Sequence, residues 1–318
     1  MPNEMPQVLP GRILVGVAGW SYPDWKGIVY PGETHQDKLQ YLSHFFDTIE
    51  INTSFYCIPS VSMIAGWVNS VSHNPRFHFT AKLYKVFTHG ADLQEGTPML
   101  VPEAAEAFSG VFRPMLELGK LGALLIQFPY RFHYGPKAVD YLLRLFDTFR
   151  QFPLALEVRH KSFQVDSFLR LLEDHRVAFA NIDQPDVSHS MPPVRVLSST
   201  SSQLGYLRFH GRNAANWFDA DMGRDGRYDY DYSIEELEVY LGMVREFQQH
   251  EGTLYVIFNN HYRASEIKNA LEFIHQLSGK PVKVMPKLLK AYPELRRIAL
   301  PEEAGAQDIF PGENYRLF

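Results

Sequence analysis

The sequence predicts a single (β/α)8 TIM barrel, a closed ring of eight parallel strands with helices outside it. Eight short apolar or β-branched runs alternate with longer segments of helical period along the 318 residues. Eight such units in about 250 residues fit a closed barrel, whereas an open doubly wound sheet more often has five to seven strands. No G-x-G-x-x-G or P-loop string follows any run, which removes the commonest open-sheet alternatives.

The predicted strands are short runs bounded by turn residues, and their spacing is fairly even. They are Ile13–Gly19, Thr48–Thr53, Phe77–Leu83, Gly122–Phe128, Leu154–Arg159, Ala178–Asp183, Gly205–His210 and Leu254–Asn259. This even repeat favours one barrel domain over residues 11–278 rather than two modest domains.

Seven helices are predicted between these strands. They are Gln36–Phe46, Val61–Val71, Glu103–Gly119, Lys137–Phe149, Asp166–His175, Ile234–His250 and Ala264–Leu277. Pro102 suits a first helical position, and Ser233 with Glu236 has the spacing of a capping box. The sixth connection, Ser188–Ser202, is rich in Pro and Ser, so we expect an irregular crossover there.

A C-terminal extension, residues 279–318, follows the barrel. Within it, Met285–Leu300 predicts a basic amphipathic helix, with apolar residues spaced among lysines and arginines. We expect this helix to pack on the barrel exterior or on a sister subunit, and we expect the final residues, 307–318, to be loose.

The composition limits the classes of function. A formal net charge of −5 provides no global basic field for nucleic acid and favours a small-molecule partner. The only cysteine, Cys57, cannot form a disulfide framework within the chain, and we expect it to pack as a small hydrophobe. No apolar run is long enough to span a bilayer, and Met1–Pro10 lacks a secretory pattern, so the sequence predicts a cytoplasmic protein without a membrane partner.

The C-terminal ends of the predicted strands carry ionisable and amide side chains, and this is the end at which TIM barrels build their active sites. These side chains are Glu50, Asn52, Lys82, Gln127, Glu157, Arg159, Asp183, Arg208, His210, Asn259 and Asn260. The period of a strand places Glu50 with Asn52, and Arg208 with His210, on shared faces. Two explanations stay open, a functional site or a buried network of three acids and three bases that neutralise one another.

Each group suggests a role in binding or chemistry. Arg159, Arg208 and Lys82 are expected to bind an anion. Proton exchange is assigned to His210, with Glu157, Glu50 and Asp183 as the carboxylates. The amides of Asn52, Gln127, Asn259 and Asn260 are expected to orient hydroxyl groups. The first two loops carry Trp20, Tyr22 and Tyr56, which could stack on a sugar or a base, and we expect Trp20 and Tyr22 to be the most exposed.

The sequence predicts no cofactor, and a divalent metal stays open as an alternative. Its ligands would be Glu50, Glu157, Asp183 and His210, an oxygen and nitrogen set suited to Mg, Mn or Zn. Lys82, Arg159 and Arg208 would compete with the metal for the carboxylates.

Several strings of the sequence resemble, in order, the domain-of-unknown-function 72 family, the YecE-like proteins. They are GWSYPDWKGIVYP, TIEINTSFYCIPS, a Lys82 strand followed by Thr88-His89, LLIQFP, LEVRHKSF, the Asp183 strand end, RFHGR and VIFNNHYRASEIKNA. The resemblance covers about Ile13 to Leu277 and implies a TIM barrel, but it implies no reaction. Phe163 and the segment from Lys280 onward depart from the family pattern. A looser likeness to the xylose isomerase and endonuclease IV barrels suggests sugar or nucleic-acid chemistry by fold analogy alone.

Three hypotheses about function follow. The leading one is an enzyme that acts by acid/base chemistry on a polar anionic substrate, such as a sugar phosphate or a nucleotide-like compound, with isomerisation and hydrolysis both open. The second is a nucleic-acid-binding or endonuclease IV-like phosphodiester-cleaving protein. The third is a barrel that binds a metabolite or a partner without chemistry.

Overall fold

The strands form a closed parallel barrel in which they follow one another in chain order. The computed structural model describes residues 11–30, 37–91, 97–192, 200–201, 203–217, 226–248 and 252–301. The strands are β1 Arg12–Ala18, β2 Thr48–Ile51, β3 His78–Lys82, β4 Leu121–Gln127, β5 Leu154–Glu157, β6 Ala178–Asp183, β7 Leu204–Phe209 and β8 Thr253–Phe258. Parallel pairing of β8 with β1 closes the ring, which confirms the predicted fold class.

The predicted helices are present with changes at their ends, and the largest change is in the first, which ends at Leu42 rather than at Phe46. The helices are α1 Lys38–Leu42, α2 Thr53–Tyr56, α3 Val61–Ser70, α4 Pro102–Glu117, α5 Pro136–Thr148, α6 Asp166–Asp174, α7 Ile234–Phe247, α8 Ser265–Ser278 and α9 Pro286–Ala291. Pro102 opens α4, and Ser233 and Glu236 form the capping box of α7, as predicted. The four-residue helix α2 is too short to show a helical period in sequence.

The predicted helix over Met285–Leu300 is wrong in its extent. Helix α9 ends at Ala291, and a separate 3-10 turn covers Pro293–Arg297, because a proline inside a helix removes an amide donor and clashes with the preceding turn. Leu288, Leu295 and Ile298 are buried in the core that the barrel helices share. Residues 302–318, with the segment expected to be loose, lie outside the described residues.

The connection between β6 and β7 contains no helix in its described part, residues 184–192, 200, 201 and 203. This agrees with the irregular crossover expected there. Residues 193–199 and 202 lie outside the described residues. None of the helices described is both long and apolar enough to cross a membrane.

Two apolar cores support the barrel. The larger one lies between the strands and the outer helices, and the smaller one fills the ring. The inner core consists of Leu14, Ala18, Ala123, Leu125, Ala155, Ala178, Ala180, Leu204, Tyr206, Tyr255 and Ile257. These side chains alternate along each strand with the outward ones, so the next inward positions toward the C-terminal ends of several strands are polar.

Gly16 on β1 lets the backbone of β2 approach more closely than any residue with a side chain would allow. A Cβ atom at this position would lie 1.9 Å from the backbone oxygen of Thr48 on the neighbouring strand. We expect Gly16→Ala to lower the free energy of unfolding by about 1–3 kcal/mol, measured by urea denaturation, because the strand pair must separate.

Gly110→Ala in helix α4 is the matched control for this substitution. An added Cβ at Gly110 meets nothing within 4 Å, and alanine is the better helix former. We expect this variant to gain roughly 0.5–1 kcal/mol. Equal stability of the two variants would contradict the close packing of β1 on β2.

Candidate functional site

A polar cluster occupies the C-terminal mouth of the barrel, directly above the inner apolar core. Its members lie on the inward faces of the strands or just beyond their ends: Glu50, Asn52, Lys82, Gln127, Glu157, Arg159, Arg208, His210 and Asn259. Arg208 and His210, which are expected to share a strand face, are in contact, with Arg208 Nη1 3.2 Å from His210 Nε2. Arg159 contacts Glu157, two residues before it.

Arg208 is the centre of this cluster and is fully buried. Its Nη2 donates to Glu50 Oε1 at 2.7 Å, and its Nη1 donates to Glu157 Oε2 at 2.5 Å and to Gln127 Oε1 at 3.2 Å. Burial opposes the charge of the guanidinium, but the carboxylates of Glu50 and Glu157 hold the Arg208 pKa above its ordinary value. Arg208 therefore bridges two buried carboxylates and has no surface to offer a ligand in this conformation.

Glu157 is shared by three cationic or imidazole groups. Its Oε1 accepts from Arg159 Nε at 2.9 Å and lies 3.2 Å from His210 Nε2. Burial alone would raise the pKa of this carboxyl, but Arg208, His210 and Arg159 hold it well below its ordinary value. Glu157 is therefore an anion throughout the neutral range.

His210 is fully buried and neutral. Burial lowers its pKa to about 3, and the neighbouring Arg208 acts in the same direction, although Glu157 opposes them. Its Nδ1 lies 3.0 Å from the amide nitrogen of Asn259, so Nδ1 fits an acceptor and Nε2–H fits a donor to Glu157. The lowered pKa indicates a neutral imidazole, and the contacts with Asn259 and Glu157 assign its proton to Nε2.

Lys82 and Arg159 form the solvent side of the cluster. Their side chains are 13% and 11% exposed, whereas those of Glu50 and Glu157 are 0% exposed. Lys82 Nζ lies 3.6 Å from Glu50 Oε1 and has no closer described acceptor. Burial and the charge of Arg208 lower the Lys82 pKa despite Glu50. With His210 neutral, the ion-pair cluster of Lys82, Arg159, Arg208, Glu50 and Glu157 has three cations and two carboxylates, so the cluster itself carries one net positive charge.

Two aromatic residues from the loop between β7 and α7 cover the mouth, and sequence reasoning missed both. Trp217 is 4% exposed, with the guanidinium carbons of Arg159 and Arg227 at 5.9 and 6.0 Å from the centre of its ring. The ring of Tyr228 lies 6.1 Å from that of His210. Loop residues follow no strand or helix period, so the sequence offered no signal for them beyond their position after the RFHGR string.

His89 is a further mouth residue that the sequence-based site omits. It is 9% exposed, and the Thr88 hydroxyl lies 2.9 Å from its Nδ1. Burial, and then the charges of Arg159, Arg131 and Lys82, lower its pKa to about 3. His89 thus lies within the positive field of the mouth. The Thr88-His89 string in the family resemblance was the signal that could have identified it.

Asp183 and Asn260 lie outside the mouth cluster, unlike their predicted positions. Asp183 accepts from Arg212 at 2.7 Å and from Tyr232 at 2.6 Å, and also from Tyr240. Asn260 donates to Asn269 Oδ1 at 2.8 Å. The reason is strand parity: Ala178 and Ala180 point into the ring from β6, so Asp183 points outward, and the same alternation turns Asn260 outward after β8.

The aromatic residues of the first two loops differ in exposure from the prediction. Tyr22, expected to be exposed, is only 8% exposed, because its ring stacks on His261 at 4.4 Å and its hydroxyl donates to the Ala18 carbonyl. Trp20 is half-buried and meets Trp67 edge-on at 5.4 Å. Tyr56 is the exposed member, at 52%. Cys57, expected to be packed, is exposed as well.

The four residues considered as metal ligands do not converge. Asp183 lies in the separate network with Arg212, and Glu50 and Glu157 are bridged by the Arg208 guanidinium. Within the described ranges, no group of three or more His, Cys, Asp or Glu side chains has the arrangement of a metal site. The geometry of this donor set does not fit a divalent cation.

The family model and the sequence relatives that match this chain identify the same family. Residues 14–293 match the family described as "Protein of unknown function DUF72". The UPF0759 protein YunF of Bacillus subtilis is 30% identical over 288 residues, which cover 88% of this chain and 100% of that protein. The UPF0759 protein YecE of Escherichia coli is 24% identical over 87% of this chain and 95% of its own length.

Solved structures agree with the sequence relatives. The crystal structure of a DUF72 family protein from Thermotoga maritima is 32% identical with a TM-score of 0.71, and the match covers 84% of this chain and 99% of that one. A DUF72 family protein from Enterococcus faecalis is 28% identical with a TM-score of 0.72, over 84% of this chain and 95% of its own. The match over most of the chain and the shared barrel confirm the resemblance found in the sequence: this protein belongs to the DUF72 family of proteins of unknown function.

Proposed function

We propose that the protein is an enzyme that acts by acid/base chemistry on a polar, anionic small substrate bound at the C-terminal mouth of the barrel. The surplus of positive charge at the mouth carries this proposal. Lys82 and Arg159 are its solvent-side cations, while the carboxylates that balance most of their charge are fully buried. A small anion can therefore approach the cations without meeting a carboxylate first.

The hydrogen-bonding capacity of these two cations supports the binding of an oxyanion. Arg159 uses Nε and Nη2 on Glu157, and no described residue accepts from its Nη1. The ammonium group of Lys82 has three donors and only the long ion pair with Glu50. A phosphate or carboxylate of the substrate would accept hydrogen bonds from the unused donors of both groups. Such charge-assisted hydrogen bonds are stronger than those between neutral groups.

The remainder of the mouth suits a substrate with hydroxyl groups, such as a sugar phosphate or a nucleotide-like compound. Asn52 and Gln127 are half-buried amides at the ends of β2 and β4. Trp20 and Tyr56 offer aromatic faces at the rim for a sugar or a base. The proposal covers both isomerisation and hydrolysis.

The fully buried members of the cluster have a positioning role in this proposal. Glu50, Glu157 and His210 are 0% exposed, so none of them touches a ligand in the described conformation. Instead, Glu157 orients Arg159 and Glu50 orients Lys82. Arg208 joins the two carboxylates by donating hydrogen bonds to both. Proton exchange with the substrate then falls to a group nearer the solvent.

Isothermal titration of inorganic phosphate into the purified protein tests the anion site. We expect Lys82→Met and Arg159→Met each to weaken phosphate binding about 10-fold or more, because a hydrogen bond to a charged group contributes roughly 1.5–3 kcal/mol.

Arg150→Met is the matched control for the titration, since it also removes one positive charge but lies on the surface, 79% exposed and paired with Asp147. We expect it to keep the affinity of the unmodified protein. Equal affinity in all four proteins would overturn the proposal. Single-stranded DNA that binds more tightly than phosphate, with loss of binding as salt rises, would favour the nucleic-acid alternative instead.

A further inference from the structure

Tyr228 differs from the nearby Tyr206, Tyr230 and Tyr232 in the state of its hydroxyl group. The hydroxyls of Tyr206, Tyr230 and Tyr232 each donate to a carboxylate, at 2.9, 2.6 and 2.6 Å. The Tyr228 hydroxyl has no hydrogen-bond partner among the described residues, and its side chain is half-buried rather than enclosed. It therefore retains a free donor and acceptor beside the mouth.

Ring contacts hold Tyr228 in this position. Its ring lies 5.3 Å from that of His261, 6.1 Å from that of His210 and 6.2 Å from that of Trp217. Trp217 is itself packed against Arg159. The phenol is thus held beside Trp217, which packs against Arg159 of the proposed anion site.

The electrostatic field around Tyr228 favours its ionised form. Burial would raise the pKa of the phenol, but the charges of Arg159, Lys82, Arg227 and Arg208 outweigh burial and lower it. No neighbouring carboxylate accepts its proton, unlike the case of Tyr230, whose pKa rises to about 12 through burial and its bond to Glu236.

The other titratable groups of the mouth are poorly suited to proton exchange with a ligand. His210, Glu50 and Glu157 are enclosed and bonded to one another through Arg208. His89 is buried and neutral, with Thr88 at its Nδ1. Lys82 is needed as a cation if it binds the anion. Compared with His210, Glu50, Glu157 and His89, which are all buried, the half-buried Tyr228 is more accessible.

We propose that Tyr228 is the catalytic residue that exchanges a proton with the anionic substrate, a role that rests on the function proposed above. The phenolate takes a proton from a hydroxyl or an acidic C–H next to the anionic group of the substrate and becomes a neutral phenol. The same O–H then returns that proton to the product or the leaving group, so that the residue ends as it began. The surrounding cations stabilise the phenolate of Tyr228. The bound anion offsets part of their charge, so the phenolate takes up a proton more readily once the substrate is bound.

Absorbance titration of tyrosinate in the ligand-free protein tests this role without a known substrate. We expect one tyrosine to ionise below the ordinary value of 10.0. The component of the absorbance titration that belongs to this tyrosine should disappear in Tyr228→Phe. It should persist in Tyr230→Phe, the matched control two residues along the same loop. Lys82→Met should move it to higher pH, because a cation near the phenolate is lost.

A second titration with saturating inorganic phosphate places the phenol relative to the anion site. We expect phosphate to raise the pH at which the component titrates. Identical curves for the unmodified protein and Tyr228→Phe would overturn the inference, and so would phosphate that binds, as shown by its heat, without moving the component. If phosphate does not bind but the component is present, the anion site fails while the ionisable phenol stands.

Discussion

Arg208→Met is expected to lower the free energy of unfolding by about 3–5 kcal/mol, the largest effect of any single substitution at the mouth. Arg208 is fully buried between Glu50 and Glu157, and its two terminal nitrogens donate to both. Methionine fills a similar volume but leaves two enclosed carboxylates beside each other without their bridging cation. Urea denaturation near neutral pH measures the loss.

The control for Arg208→Met neutralises the carboxylates it would leave unpaired. The triple variant Arg208→Met, Glu50→Gln, Glu157→Gln should recover part of the lost stability, because it removes the two fully buried carboxylates together with their bridging cation, whereas Lys82 and Arg159, which lose their partners, are nearer the solvent. If the triple variant is no more stable than the single one, loss of packing rather than of charge pairing explains the effect. In that case the bridge described here is not the source of the stability.

Acidification is expected to remove about 4 kcal/mol of stability through His210 and His89 between about pH 7.5 and about pH 5. Burial lowers the pKa of both imidazoles to about 3 in the folded protein, whereas an imidazole in the unfolded chain takes up its proton near pH 6.5. Over this window the unfolded state binds more protons than the folded state, so the free energy of unfolding falls as the pH falls. Each histidine contributes roughly half of the loss.

Urea denaturation at both pH values checks this expectation. His210→Gln and His89→Gln should each reduce the pH dependence by about 2 kcal/mol, and the double variant by about twice as much. Variants whose stability runs parallel to that of the unmodified protein across the window would show that these imidazoles are not held neutral. The carboxyl of Glu157 adds little here, because its lowered pKa moves its contribution to more acidic conditions.

The fold could be predicted from sequence because the two periodicities are strong and local. The alternation along each strand and the capping signals at Pro102 and Ser233 gave the strands and helices close to their observed ends. The same alternation predicted that Arg208 and His210 share a strand face, and the two side chains are in contact. Where a proline interrupts the pattern, as Pro293 does, the hydrophobic period alone overestimated a helix.

The errors at the site have a different origin. Asp183 was assigned to the mouth from its place at the end of a strand, although the small Ala178 and Ala180 indicate the opposite inward face. The burial of Tyr22 depends on His261, which is distant in sequence, so no local pattern could reveal it. Trp217 and Tyr228 reach the mouth on a loop, where side-chain direction is set by tertiary contacts and not by a period.

The family assignment gives the fold but no reaction, so the proposed function depends on the geometry of the mouth. The DUF72 match places the chain in a family of unknown function, so the chemistry must be argued from the mouth itself. At the mouth, the buried carboxylates of Glu50 and Glu157 hold Lys82 and Arg159 in position. The positive charges of Lys82 and Arg159 in turn lower the pKa of Tyr228. We propose that this arrangement holds a small oxyanion.

A crystal structure of the protein grown with tungstate tests that claim most directly, because the heavy atom of this phosphate-like oxyanion is located by its anomalous signal. We expect a tungstate in the mouth, with its oxygens within hydrogen-bond distance of Lys82 Nζ and Arg159 Nη1 and facing the Tyr228 hydroxyl. Tungstate bound only at other surfaces, with Lys82 and Arg159 in unchanged positions and no oxyanion between them, would contradict it.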